Sequence, residues 1–295
     1  MRMEQIGIQE TDYPRWLDRN EYPFKSHYFQ QPIGRMHYVD EGQGDPIVMI
    51  HGNPGWSFEF RKVIREMSRT NRCIAPDHIG FGLSDKPFDW DYLPRSHAEN
   101  FERFVEGLNL TNMTLVVNDW GGPIGFSYAI KHPEKIRKFV ILNTWLWSVK
   151  KDLYYQMFSN MMGGLLGRFL IRNFNFFGRV VVWMAFGDKT KLGNGIHAYY
   201  YKHLEKPQDR KGCYTFPKQI IGSSVWLDSL WQQRERINRL PATLVWGMKD
   251  IAFREKELNY WIANWNNPKV VRLSKAGHYP QEEAPEEVVK ALQDK

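Results

Sequence analysis

The sequence predicts an α/β protein, a mostly parallel eight-stranded sheet flanked by helices with a helical segment inserted after the sixth strand. Three observations predict it. Short β-branched runs alternate with stretches of helical period, the pattern of a parallel sheet covered by helices. The alternation breaks once, after Trp147, and resumes at Ala242. A chain of 295 residues is long enough for one large domain that carries such an insertion.

Taken in order, residues 26–40 form two short strands meeting at Gly34, a hairpin that supplies the antiparallel edge. Residues 46–50 are a buried strand followed by Gly52 and Pro54, and residues 57–69 carry the 3.6 period of a helix. Strand 72–75 follows. Residues 96–108 are expected as a helix with Ser96 as N-cap and Glu99 completing a capping box. Strand 115–117 leads through a turn into a helix that runs to about His132 and is stopped by Pro133, and strand 139–142 is the sixth. Residues 152–220 read as helices and loops rich in Phe, Met, Tyr and Trp. The pattern resumes with strand 242–246, helix 255–265, strand 270–273 and helix 285–292. The expected organisation is a core of residues 1–147 and 222–295 interrupted by a helical cap over 148–221. Ligands of open parallel sheets sit beyond the carboxyl ends of the strands, so an insertion leaving such an end forms a lid over the site.

Composition narrows the function classes. Aromatic residues make up 15% of the chain, high for an ordinary domain, so a use beyond the core is expected of them. Residues 1–21 mix charged and polar side chains without an apolar run, which argues against a signal peptide or membrane anchor and for a cytoplasmic protein. Cys73 and Cys213 are far apart and fit reduced thiols. The net charge of +7 is dispersed, with no run of five Lys or Arg, which indicates a solvated basic surface and no nucleic-acid partner. Residues 174–186 are nearly apolar but too short to span a membrane. They are expected to pack the lid against the core, with some side chains lining a substrate cavity, membrane contact as the lesser alternative, and no stable membrane insertion.

Three candidate catalytic residues each fall just behind a strand. Asp119, in Asn118-Asp119-Trp120-Gly121-Gly122, sits in a strand-to-helix turn tight enough to need a small residue two positions on, and Gly121 fills that place. A carboxylate there can attack carbon directly and form an ester. Read alone, Asp119 also fits a helix N-cap. His278, in Gly277-His278, follows the last strand and can deprotonate water, whereas His27, His37, His97, His132, His197 and His203 read as surface or packing groups. His51 and His78 lie near strand ends with loop-bracing roles open to them. Asp250, after strand 242–246, could fix the imidazole tautomer, or serve equally well as a turn aspartate beside Lys249. The chain order nucleophile, acid, base is that of α/β-hydrolase triads.

Behind strand 46–50 comes His51-Gly52-Asn53-Pro54, a loop that faces the turn at Asp119 in such a fold. The backbone N–H groups of Asn53 and Trp120 can form an oxyanion hole, and their side chains offer two neutral donors suited to an anion developing beside the nucleophile. The bland alternative has Trp120 packing the lid and Asn53 capping a turn.

With these residues in place, nearly the whole chain resembles the haloalkane dehalogenases of the α/β-hydrolase superfamily. The matching segments are Tyr38-Val39-Asp40-Glu41-Gly42, His51-Gly52-Asn53-Pro54, Asp77-His78-Ile79-Gly80-Phe81-Gly82-Leu83-Ser84, Asp119-Trp120-Gly121-Gly122-Pro123, Trp246-Gly247-Met248-Lys249-Asp250 and Gly277-His278. In that family the acid follows the strand before or after the lid. The earlier position is Leu142-Asn143-Thr144, without a carboxylate, so the resemblance makes Asp250 the acid. Together with Asn53 and Trp120 as halide donors, this looks like the third subfamily, with its Asp-His-Asp triad. The sequence departs from the family pattern at Asn118, where Gln or His is commoner, and at Gly55-Trp56, where Thr or Ser is frequent after the Pro. Trp56 is therefore placed to alter access to the halide position.

The resemblance implies a halogenated alkane and water as substrates, halide and alcohol as products, a covalent alkyl ester on Asp119, and no metal or organic cofactor. The rival enzyme on this scaffold is an epoxide hydrolase, for which Tyr154, Tyr155, Tyr199, Tyr200, Tyr201 and Tyr214 could supply the acidic hydroxyls. A rival of another class is a binding protein for small molecules that keeps the scaffold without turnover. None of these features encodes an oligomeric state.

Overall fold

The computed structural model describes residues 13–193 and 195–294. The expectation for residues 1–21 therefore falls partly, over 1–12, outside the described residues. The strands are β1 (Ser26–Gln31), β2 (Gly34–Glu41), β3 (Pro46–Ile50), β4 (Arg72–Pro76), β5 (Met113–Asn118), β6 (Ile136–Leu142), β7 (Ala242–Gly247) and β8 (Lys269–Leu273). They form one eight-stranded sheet in the order β1-β2-β4-β3-β5-β6-β7-β8. The β1–β2 and β2–β4 pairs are antiparallel and every later pair is parallel, so the hairpin at Gly34 does supply the edge. Every residue of β5 and β7 is buried, as expected of central strands covered on both faces.

Helices α1 (Arg61–Met67), α2 (Pro94–Gly107) and α3 (Gly121–Lys131) follow β3, β4 and β5. The stretch read as one helix over 57–69 opens instead as a 3-10 turn, Ser57–Phe60, whose first N–H donates to the buried Asp77 carboxylate at 2.7 Å. The capping box at Ser96 is not formed. Pro94, with its φ already set for a helix, starts α2 at its first position. Ser96 Oγ donates instead to Asp91 Oδ2 at 2.9 Å, and Glu99 faces Arg95.

Between β6 and β7 the chain runs through α4 (Leu153–Gly163), α5 (Leu165–Phe174), a π-helical turn (Phe177–Val181), α6 (Val182–Ala185), α7 (Ile196–Lys202), α8 (Lys211–Gly222) and α9 (Ser224–Gln232). Helices α10 (Glu255–Asn264), α11 (Pro280–Glu283) and α12 (Pro285–Gln293) complete the chain. Residues 174–186 pack less completely than expected. Phe177 and Val182 are buried, but Phe174, Trp183 and Met184 stand about half exposed or more. Among the described residues no helix is long and apolar enough to cross a membrane.

Candidate active site

The carboxyl ends of β3, β5, β6, β7 and β8 point the same way, and each delivers a residue to one place. Asp119, directly behind β5, has φ of 50°, a left-handed conformation that a non-glycine residue adopts at a cost of order 1–3 kcal/mol. The turn leaves no room two residues on, since a Cβ on Gly121 would lie 2.1 Å from the Ile50 carbonyl oxygen. The bend is held by the Asp119 N–H donating to the Asn143 carbonyl at 3.1 Å and by Thr144 Oγ1 donating to the Asp119 carbonyl.

The Asp119 carboxylate is oriented by its oxygens having different partners. Oδ1 accepts the backbone N–H of Asn53 at 2.8 Å, and the Trp120 N–H also bonds to the carboxylate. Oδ2 lies 3.7 Å from Nε2 of His278. Burial raises the Asp119 carboxyl above its ordinary value, while the imidazole and the two N–H donors favour its charged form.

His278, in the loop after β8, is anchored by its own N–H donating to Ala185 O at 2.9 Å and by the Phe253 ring stacked on the imidazole. Its Nδ1 is 2.9 Å from Asp250 Oδ2. The second oxygen of Asp250 accepts the Ala252 N–H at 2.7 Å. Burial works to lower the His278 pKa, but Asp250, then Asp119 and Glu59, overcome it and hold the group at about 9. Other histidines make buried contacts of their own. His37 is buried against Asp77 and Ser26, and His51 accepts the His78 N–H at 2.9 Å. Only His278 lines the cavity described next.

A cavity of about 900 Å³ opens above these groups. Asn53, Asp119, Trp120 and His278 sit in its wall, and most of the rest is apolar, drawn largely from α4 to α6. The Trp120 indole N–H has no hydrogen-bond partner among the described residues. The Asn53 amide makes one long contact, 3.5 Å to the Cys213 carbonyl, and its Oδ1 is buried without a partner. The sequence-predicted residues Asp119, His278, Asp250, Asn53 and Trp120 are thus all brought together.

Trp56 is not. Its indole donates to Tyr199 O at 2.9 Å in a fully buried aromatic cluster away from the cavity, which removes it as a determinant of access. Of the six tyrosines considered for an epoxide, Tyr199, Tyr200, Tyr201 and Tyr214 do not line the cavity. Tyr154 and Tyr155 do, but their hydroxyls donate to the Ile251 and Ala252 carbonyls.

Several neighbours escaped the sequence reading. Asn143, at the position noted for lacking a carboxylate, donates through Nδ2 to Asp250 Oδ2 at 2.9 Å and accepts the Gly247 N–H at 2.8 Å, so an amide steadies the acid. Its place just behind β6 was the available signal. Trp145 adds a second indole to the cavity wall, packed edge-on to Trp120 with its N–H unpartnered. Behind the site, Gln281 Nε2 donates to both Glu59 Oε1 and Asn118 Oδ1, and Asn118 donates to the His278 carbonyl. Glu59 is buried and its carboxyl is pushed well up by desolvation. Gly55 leaves it room, because a Cβ there would sit 1.9 Å from Glu59 Oε2.

The α/β-hydrolase-fold family model matches residues 45–181. Haloalkane dehalogenase 2 of Mycobacterium tuberculosis is 35% identical over 277 residues, covering 93% of this chain and 96% of its own length. A cis-3-alkyl-4-alkyloxetan-2-one decarboxylase of Shewanella oneidensis is 34% identical, with 90% of this chain and 86% of that protein covered. Among solved structures, the haloalkane dehalogenase of Bradyrhizobium elkani superposes with a TM-score of 0.82 at 21% identity, covering 91% of this chain and 96% of that one, a likeness of fold.

Proposed function

Since the chain belongs to the haloalkane dehalogenase family of α/β hydrolases, we propose that it hydrolyses carbon–halogen bonds through an ester on Asp119, with His278 as base and Asp250 as acid. The observation that carries the reading is the asymmetry of the Asp119 carboxylate. Oδ1 accepts the Asn53 backbone N–H, Oδ2 lies toward His278, and the carboxylate borders an apolar cavity whose wall also holds two uncharged side-chain donors, Trp120 and Asn53.

A haloalkane lies in the cavity with its halogen toward the Trp120 indole and the Asn53 amide. Asp119 Oδ2 attacks the carbon, the new C–O bond forms as the carbon–halogen bond breaks, and the halide leaves with the bonding pair into those donors. His278 Nε2 then takes a proton from water, whose oxygen adds to the ester carbon. The backbone N–H groups of Asn53, already on Oδ1, and of Trp120, already on the carboxylate, stabilise the oxyanion. Collapse breaks the bond between the Asp119 carboxyl carbon and the alkyl oxygen, which leaves as the alcohol, the carboxylate is restored, and His278 gives up its proton to solvent. Asp250, steadied by Asn143, holds the imidazole tautomer and the transient imidazolium charge. In this reading the chain is of the third subfamily, residues 148–221 act as a cap, and two buried free thiols accord with a cytoplasmic setting.

The test is bromide release from a panel of brominated alkanes, with alcohol formed in equal amount and both lost in Asp119→Asn. A second reading draws on the relative from Shewanella oneidensis, because a cavity of about 900 Å³ also accommodates a four-membered lactone bearing two alkyl chains. Carbon dioxide release from such a lactone, with bromoalkanes left untouched, would favour it. The engaged Tyr154 and Tyr155 hydroxyls weigh against an epoxide substrate.

A further inference from the structure

The apolar wall of the cavity does not end at the cavity. On α4, Leu153, Met157 and Met161 recur every fourth residue and point outward, exposed by 68%, 64% and 63%. On α5, Leu165 and Leu166 are exposed by 88% and 71%, and Phe169 joins them. Met157, Met161, Leu166 and Met184 both line the cavity and reach solvent, so the cavity opens through this apolar face. Scattered exposed apolar residues need no explanation, but a contiguous set around the mouth of a cavity marks a contact surface.

Charge identifies the partner. Residues 153–187 contain three arginines and no Asp, Glu or Lys. Arg168, Arg172 and Arg179 are exposed and form no ion pair among the described residues, and neither does exposed Lys218 on α8 beside Gly163. Pairing this face with a second copy of itself would juxtapose the cations of both copies without an acid in the segment to offset them. An anionic lipid surface offers hydrocarbon for the outward side chains and headgroups for the arginines. Helices of 11 and 10 residues cannot cross a bilayer but can lie in its interface.

We infer that α4 and α5 dock this protein peripherally on anionic membranes, with the cavity mouth turned toward the lipid. Docking itself goes beyond the proposed reaction. Its use, admitting an apolar substrate that has partitioned into the bilayer, rests on that reading.

The experiment is co-sedimentation of the full chain with phosphatidylcholine vesicles prepared with and without phosphatidylglycerol, read without turnover. Binding is expected on the anionic vesicles, weakened by salt and lost in Leu165→Glu/Phe169→Glu, whose side chains lie outside the cavity lining. Arg168→Ala should weaken it about fivefold. The double variant should keep its melting temperature and its bromide release from a water-soluble substrate, which separates docking from folding and from chemistry. Absence of binding to anionic vesicles would overturn the inference, and so would binding unchanged in the double variant. A concentration-dependent dimer dissolved by Leu165→Glu would assign the face to a second copy instead.

Discussion

Replacing Asp119 by Asn mimics the neutral ester and removes one charge beside His278 without changing the shape of the site. The two groups are 3.7 Å apart. At that distance opposite charges interact by about 4 kcal/mol at an effective dielectric near 20, equivalent to about three pH units of imidazole titration. That is a ceiling, because the Asp119 side chain keeps 14% of its exposure and cavity water screens the pair. His278 titrates at about 9 in the free protein, with burial lowering the value and Asp250, then Asp119, raising it. Deleting one of the raising charges must lower it, by roughly one to three pH units. Proton NMR of the imidazole, assigned by the resonance missing in His278→Ala, measures the change. Titration of His278 at or above 9 in Asp119→Asn would show that Asp119 does not raise it. The point matters for mechanism because alkylation removes the same charge. Formation of the ester therefore shifts the imidazole toward its neutral, basic form.

Two further outcomes follow from single contacts. Trp120→Phe keeps the ring and loses the indole donor, which should cost about 3 kcal/mol, or roughly a hundredfold in kcat/KM for bromide release. Ester hydrolysis in the same variant, followed by single-turnover kinetics, should be nearly unchanged because the backbone N–H remains. Gly55→Ala forces a Cβ against Glu59 Oε2 and should destabilise by about 1–3 kcal/mol in denaturant unfolding. In a Glu59→Ala background the same change should cost much less.

The parts of the fold legible in the sequence were those written in local pattern. Strand period and punctuation placed all eight strands, and the position of Asp119, His278 and Asp250 just behind strands was enough to suggest that they meet. The capping box was misread because Ser96 and Glu99 have the right spacing, yet Pro94 starts the helix two residues earlier and leaves Ser96 to Asp91. Trp56 was misjudged because neighbours in sequence need not share a face. Pro54 and Gly55 carry the chain past the site, and the indole turns to Tyr199. Asn143 had only its place just behind β6 to signal it, and Gln281 and Glu59 had no signal, since the contacts of all three span 104 to 222 positions. The outward face of α4 and α5 was equally hidden, because an apolar run does not say which side will meet the core.

If Asp119 becomes covalently alkylated and His278 is needed only to release it, the ester accumulates once His278 is removed. Mass spectrometry of His278→Ala incubated with bromohexane tests it most directly. The expected result is a stable gain of one hexyl group on the peptide carrying Asp119, with one equivalent of bromide released. An unmodified Asp119 with no bromide, or continued turnover without His278, would contradict it.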